Sequence, residues 1–359
     1  MGDTGEDYGN YSYEYYLDYG DMEELKVAHS QTAAMHVISV VIYIISFVLG
    51  LIGNGTVIWV TGFKSKKTVT SVWLLNLAIA DFVFVLFLPF YIDYILRDFH
   101  WDFGVVMCKL NSFVSVMNMY ASVLFLTVLS IDRYVSLVHM NWSQRYRTIE
   151  KAWVVSTCVW VSAAFMSCPA LIFRDTMRVH NKVVCFNNFH TQSAHTAATR
   201  HIAIVAVRTT VGFLLPFTAI CVTGILMTIK VKQSEGSVRW SSFSKTVTAV
   251  ILAFFLCWAP FHTFSLMELS IHSTFYLHNT LKAGFPLVTS LGFFNSCINP
   301  LLYMLLGKKV RRILKHSCMN ITKSSLRELS LSISATEMES VPGVQLESAR
   351  EEPVASSAL

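Results

Sequence analysis

Charge is scarce in this 359-residue chain: Asp, Glu, Lys and Arg together make up 14% of it, against about 25% in an ordinary soluble domain. That shortage excludes a charge-rich disordered protein and a basic nucleic-acid binder. With 53% hydrophobic residues and a mean hydropathy of +0.49, it also argues against a soluble enzyme. The first 24 residues hold no Lys, no Arg and no apolar core, so the parts of a cleavable signal peptide are lacking and the first apolar segment is expected to direct its own insertion. The eight cysteines show no Cys-x-x-Cys spacing that would hold a metal. No nucleophile–base constellation points to catalysis, and no repeat relates the two halves as in many transporters. Aromatic residues, by contrast, are plentiful, with 25 Phe, 14 Tyr and 8 Trp, as membrane proteins often show.

The apolar residues gather in seven runs: 27–63, 68–92 (broken by Asp81), 110–131, 152–173, 201–229 (broken by Arg208), 246–267 and 283–307. A bilayer-spanning helix needs about 20 mostly apolar residues, and buried helices of soluble proteins rarely reach that length uninterrupted. The reading is an all-α membrane protein, a seven-helix bundle with spans near 35–61, 69–95, 105–138, 150–172, 200–231, 242–271 and 279–306. Lys64, Lys66, Lys67, Arg145, Arg147, Lys151, Lys230, Lys232, Arg239 and Lys245 fall on one side of the membrane, with Lys308, Lys309, Arg311, Arg312 and Lys315. Basic loops stay in the cytoplasm, so the N-terminus is expected outside and the C-terminus inside.

Residues 1–34 then form an extracellular, disordered segment whose first 24 residues interleave eight acids with six tyrosines. Such a segment suits the attraction of a basic extracellular protein, and tyrosines beside acids are candidate sulfation sites. Asn10-Tyr11-Ser12 is a glycosylation sequon on the outer side. Those at Asn54, Asn141 and Asn320 fall in a span or in the cytoplasm and should stay unmodified. Residues 307–318 read as a short amphipathic helix on the cytoplasmic headgroups, with Cys318 a palmitoylation candidate. The Ser- and Thr-rich tail 319–359 reads as disordered and open to phosphorylation.

Five cysteines fall within spans and one in the cytoplasm, where thiols stay reduced. Cys108, at the outer end of the third span, and Cys185, in the longest outer loop, face an oxidising compartment and are expected to pair. Around Cys185, residues 177–179 and 182–184 flank His180-Asn181 as a β-hairpin.

Ionisable residues within spans are costly and mark function. Asp81 lies mid-span, and Asn118 with Ser122, and Asn295 with Ser296 and Asn299, lie at helical spacing on two other spans. A carboxylate among neutral oxygens suits a hard monovalent cation such as Na+, and equally an ion-free polar network. Arg208 sits about two turns into the fifth span. Prolines 89, 169, 216, 260 and 300 each free a backbone carbonyl within a helix.

These motifs resemble the class A (rhodopsin-like) G-protein-coupled receptors. The likeness rests on Gly53-Asn54, the Leu77-to-Asp81 run, Asp132-Arg133-Tyr134, Trp160, Pro216, Cys257-Trp258-Ala259-Pro260 and Asn299-Pro300-Leu301-Leu302-Tyr303, with the Cys108 and Cys185 pair. It implies a receptor, not an enzyme, in the plasma membrane. Asp132, Arg133, Tyr134, Trp258, Pro260, Asn299, Pro300 and Tyr303 would carry activation and G-protein coupling. Asp81, Asn118, Ser122, Asn295 and Asn299 match an allosteric Na+ site.

Within that class the chain is most similar to the chemoattractant group, and particularly to chemerin receptors, through Trp142-Ser143-Gln144, residues 173–176 and 185–189, His100-Trp101 and Met267-Glu268-Leu269. The resemblance implies an extracellular peptide or protein ligand of the chemerin kind, an inhibitory-class heterotrimeric G protein, receptor kinases and arrestins, and no nucleic acid. Formyl-peptide and prostaglandin D2 receptors share part of these stretches. Arg208, Arg174 and Lys282 would draw the ligand's terminal carboxylate, with Glu268 at the rim. One departure is Gly224, where the class usually has a tyrosine that supports Arg133 in the active state. It leaves room for a scavenging or arrestin-biased receptor of the same ligand.

Overall fold

The computed structural model describes residues 19–179, 181–189, 193–233, 242–269 and 275–306. Asn10, residues 307–318 with Cys318 and the tail 319–359 lie outside these residues, as do the side chains of Lys282 and Tyr303.

The chain forms α1 (Tyr19–Trp59), continued by a wide π turn, Val60–Lys64. Then come α2 (Val69–Val85), α3 (Leu88–Leu96), α4 (Gly104–Val138), the short α5 (Met140–Tyr146) and α6 (Ile149–Phe173). A hairpin of β1 (Arg174–Val179) and β2 (Lys182–Asn187) precedes α7 (Ala194–Thr209), a second π turn Thr210–Leu214, α8 (Leu215–Gln233), α9 (Ser242–Glu268) and α10 (Phe275–Leu306). Among the described residues six helical stretches are long and apolar enough to cross a membrane, and α10 is a further helix of 32 residues.

Local chemistry explains where these elements begin and break. Thr68 and Ser71 cap α2 reciprocally: Ser71 N–H donates to Thr68 Oγ1 at 3.1 Å and Thr68 N–H to Ser71 Oγ at 2.7 Å. Thr148 caps α6 in the same sense, accepting from Lys151 N–H. The second span parts at Leu86–Phe87 because Pro89, at the start of α3, cannot donate into the preceding turn. The π turn before Pro216 is the corresponding adjustment in the fifth span. By contrast α6, α9 and α10 run through Pro169, Pro260 and Pro300.

Helix α1 differs from expectation. It begins at Tyr19, inside the 1–34 segment read as lacking regular structure. No proline interrupts the chain from there to Trp59.

The bundle is inverted relative to a soluble protein. Val154, Val161, Phe165 and Ile52 are exposed, whereas Asn54, Asn76, Asp81, Ser122, Asn295 and Asn299 are buried. In water so much bare apolar surface would aggregate. In lipid it is the solvated face, and polar groups hold helices together from within. α4 packs against α2, α6, α8 and α9, while α1 packs on α2 and α10, and α10 on α9. Two joints show the rule. A Cβ on Gly53 would lie 2.6 Å from Pro300 Cγ, so only glycine lets α1 approach α10 there. Beside it, Asn54 Nδ2 donates to Ser296 O at 2.8 Å, the carbonyl left without its helical donor by Pro300. Between α2 and α6, Trp160 Nε1 donates to Asn76 Oδ1 at 2.9 Å.

The hairpin is longer than the sequence pattern outlined. Its register runs from Arg174 opposite Asn187 to Val179 opposite Lys182. Cys185 is bonded to Cys108, in the second turn of α4, with the Cα atoms 5.8 Å apart. The loop after α3 ties to the same hairpin: Trp101 N–H donates to Val183 O at 2.8 Å and Val183 N–H to His100 Nδ1 at 3.0 Å. Lys182 pairs with Asp98. Arg97 pairs with Asp93 and Asp102, and the hydrogen bond and charge of Asp93 hold its guanidinium above the ordinary arginine pKa.

Candidate functional site

Below the hairpin the helices leave a cavity of about 550 Å³. Its floor is aromatic, built from Trp258, Phe261, Phe285 and Phe293, and Tyr91 and Tyr120 stand in its walls. Arg174, Arg208 and Glu268, far apart in sequence, line this one space. Lys282 belongs to α10, and its side chain lies outside the described residues.

Arg208 enters from α7. One terminal nitrogen donates to Ser265 Oγ at 3.1 Å, and the guanidinium lies 4.9 Å from the centre of the Phe261 ring. Its Nε is buried without a hydrogen-bond partner. Among the described residues no carboxylate lies within 4.0 Å of it. Glu268 is instead 3.7 Å from His201 Nε2. Arg174, the first residue of β1, faces the cavity while donating across the hairpin to Cys185 O at 3.4 Å. The floor is thus a cation on an aromatic surface, where a carboxylate is drawn more strongly than in water.

Phe293 links the floor to the layer beneath: its ring lies 6.3 Å from Trp258 and 4.7 Å from Phe84 on α2. One turn before Phe84, the fully buried Asp81 accepts from Asn299 Nδ2 at 2.8 Å and Ser122 Oγ at 3.3 Å. Ser122 Oγ also lies 3.3 Å from Asn118 Oδ1, and Asn118 Nδ2 donates to Ser296 Oγ at 2.9 Å. Turning the Asn118 amide brings its nitrogen 3.1 Å from Asp81 Oδ1 and leaves its oxygen accepting from Ser296. Three helices therefore gather the predicted residues around one carboxylate. Asn295 is buried on the same stretch of α10, and the side-chain oxygens of Asn295 and Asn299 lack hydrogen-bond partners. Among the described residues Asp81 has no ion-pair partner. A buried carboxylate with spare neutral oxygens nearby fits a small hard cation.

At the far end of α4, Asp132 is claimed mainly by a residue that sequence reasoning treated only as loop charge. Arg147, just beyond α5, donates from Nε to Asp132 Oδ1 at 2.6 Å and from Nη2 to Oδ2 at 2.8 Å. Arg133 stands 3.6 Å from Asp132, and both arginines donate to Thr70 Oγ1 on α2. The Tyr134 ring meets His139 edge-on at 5.9 Å. Alongside, a second cavity of about 180 Å³ lies between α4, α8 and α9, and Gly224 is in its wall.

His201, Tyr120 and Phe261 also escaped the sequence reading. His201 precedes Arg208 by two helical turns, a spacing that puts both on one face.

These features define a membrane receptor rather than an enzyme. Residues 53–303 match the family described as 7 transmembrane receptor (rhodopsin family), and the chain belongs to that family of G-protein-coupled receptors, multi-pass proteins of the plasma membrane. It is 44% identical over 332 residues to Chemerin-like receptor 2 of Macaca mulatta, covering 92% of this chain and 93% of the relative. Chemerin-like receptor 2 of Homo sapiens is 43% identical over the same length and coverage. Chemerin-like receptor 1 of Mus musculus is 41% identical over 325 residues, 86% of each chain.

Proposed function

We propose that the chain is a chemoattractant receptor with its N-terminus outside the cell, and that its cavity takes the C-terminal segment of a chemerin-type protein. The observation that carries this reading is Arg208, a cation set in an aromatic floor with no carboxylate within 4.0 Å among the described residues. The acidic, tyrosine-rich N-terminus supports a basic protein ligand over a lipid. Asn10 is its glycosylation site, and Cys318 a lipid anchor after an amphipathic helix at 307–318. The signal passes to an inhibitory-class G protein and, after phosphorylation of the tail by receptor kinases, to arrestins.

In the arrangement described, Arg147 and Thr70 occupy Asp132 and Arg133. A G protein engages Arg133 when these contacts open at the cytoplasmic end. A ligand shifts the population toward that state only by binding it better than the closed one. The test is to challenge cells expressing the chain with chemerin, formyl peptides and prostaglandin D2, reading cAMP and arrestin recruitment together. A response to chemerin in both channels is expected, and a response to either alternative alone overturns the ligand assignment.

Gly224 favours a second reading, a scavenging or arrestin-biased receptor. A Cβ there would touch nothing within 4 Å, and the cavity beside it reaches Arg133. A tyrosine has room to enter and to support Arg133 once α9 moves outward. Gly224→Tyr is expected to raise maximal G-protein signalling at equal surface expression, leaving ligand affinity close to wild type. Equal expression with unchanged or lower signalling contradicts this.

Asp81, Ser122, Asn118 and Asn299 would hold an allosteric Na+, with Asn295 in the outer ring. When bound, the ion supplies the countercharge for the buried carboxylate. Because α2, α4 and α10 must be close for these residues to converge, the gathered site belongs to the inactive bundle. Agonist affinity is expected to fall as Na+ replaces a large organic cation at constant ionic strength, and Asp81→Asn to abolish that dependence. A wild-type receptor indifferent to Na+ would make the cluster a purely structural network.

A further inference from the structure

The smaller cavity, between α4, α8 and α9, has the character of a binding site in its own right. It holds about 180 Å³ and is walled chiefly by Phe217, Ile220, Ile251, Leu252 and Phe255. Two of the hydroxyls at its edge are already engaged: Ser130 Oγ and Thr223 Oγ1 lie 2.8 Å apart, and Thr223 also donates to Ala219 O at 2.9 Å. Arg133, at its inner end, is turned to Thr70 and Asp132. An ordered water needs about 2–4 polar partners, and these walls are overwhelmingly apolar. A Cβ on residue 224, in its wall, would meet nothing within 4 Å.

Two wall residues also reach the outer surface of the bundle: Phe217 is 42% and Leu252 55% exposed. That surface meets acyl chains in the bilayer, so the cavity has a route of entry through lipid. Its size sets what fits. A protein cavity of about 150 Å³ lined by aliphatic and aromatic side chains stays dry and takes up benzene. A charged or strongly polar group would lose its solvation against such walls. The rings of Phe217 and Phe255, 4.7 Å apart and edge to face in the wall, favour a flat aromatic ring over a saturated one.

We infer that this cavity binds a single uncharged aromatic ring, supplied by a molecule dissolved in the bilayer and entering between α8 and α9. The inference concerns binding alone and stands whatever ligand the larger cavity takes.

The test uses the purified full-length chain in lipid nanodiscs, photolysed with trifluoromethyl phenyldiazirine, the sites of carbene insertion being read by mass spectrometry. Insertion is expected at the wall residues of 217–227 and 248–255 and should be suppressed by excess trifluoromethylbenzene. Insertion at Val161 and Phe165, which lie on the outer face at 65% and 71% exposure, should not be suppressed, because partitioning into lipid does not saturate. Gly224→Leu fills the space and should reduce wall insertion about tenfold, equivalent to about 1.4 kcal/mol, leaving Val161 and Phe165 labelled. Ile251→Ala enlarges the space, so naphthalene should compete in that variant and not in wild type. Wall insertion that excess competitor leaves unchanged overturns the site. So does labelling of Gly224→Leu equal to wild type. If Gly224→Leu does not fold, equal competition by naphthalene in wild type and Ile251→Ala overturns it.

Discussion

Arg208→Ala is expected to lower the potency of a chemerin-type C-terminal peptide by about tenfold or more at equal surface expression. Truncating one partner of a desolvated charge pair costs about 2–5 kcal/mol, much of it from the partner left behind. Arg208 is suited to such a loss: Phe261 packs on the guanidinium, Ser265 fixes one nitrogen, and Glu268 lies near His201, at 3.7 Å, rather than in an ion pair with Arg208. The cation therefore does not have to break an internal salt bridge before meeting a ligand. A double-mutant cycle isolates the contact. Amidating the peptide's C-terminus should weaken binding to wild type by a similar factor and add little in Arg208→Ala. Strictly additive losses would show that the guanidinium and the terminal carboxylate do not meet.

Cys185→Ser is expected to cut surface expression or agonist affinity about tenfold or more, since losing a native disulfide typically costs about 2–5 kcal/mol. The bond joins residues 77 apart in sequence and anchors β2 to α4 over the cavity. The hairpin's ties to the loop after α3 are the Trp101–Val183 and His100–Val183 hydrogen bonds and the Lys182–Asp98 pair, all toward one end of β2. Without the disulfide, β2 at Cys185, whose carbonyl is Arg174's acceptor, loses its covalent tie to α4. Cys108→Ser should match Cys185→Ser, and the double variant should be no worse than either. Normal surface level with normal affinity refutes the role.

The spans were legible because a bilayer imposes a minimum apolar length that few other environments require. Asp81 and Arg208 stood out singly because each breaks such a run. Their partners were less visible. Ser122 and Asn299 reach Asp81 from two other helices, and spacing along one helix states only which residues share a face. Arg147 was lost among loop cations because nothing local distinguishes it. Its capture of Asp132 depends on where α5 ends against the start of α6, a matter of chain path. The hairpin was seen only at its tip because Arg174, Asp175 and Asn187 carry weak strand preference. They are held there by continuity with α6, through Asn188 N–H donating to Phe173 O at 2.6 Å. The early start of α1 had a signal, the run of acids without proline, but its dense charge and tyrosine made a disordered reading the simpler one.

The joint between Asn54 and Ser296 also bears on how the protein is made. Its two ends are 242 residues apart, so during synthesis the first helix reaches the membrane long before its partner exists. An amide waiting in hydrocarbon without an acceptor would be costly. Asn54 Nδ2 has one on its own helix, Gly50 O at 3.0 Å, which can shelter it until the last helix arrives. Asp81 waits almost as long, its bond to Asn299 spanning 218 residues, but Ser122, only 41 residues on, reaches it much earlier. The nascent bundle can thus grow from α2 and α4 outward, with α10 the late-arriving element that closes both ends of the polar seam.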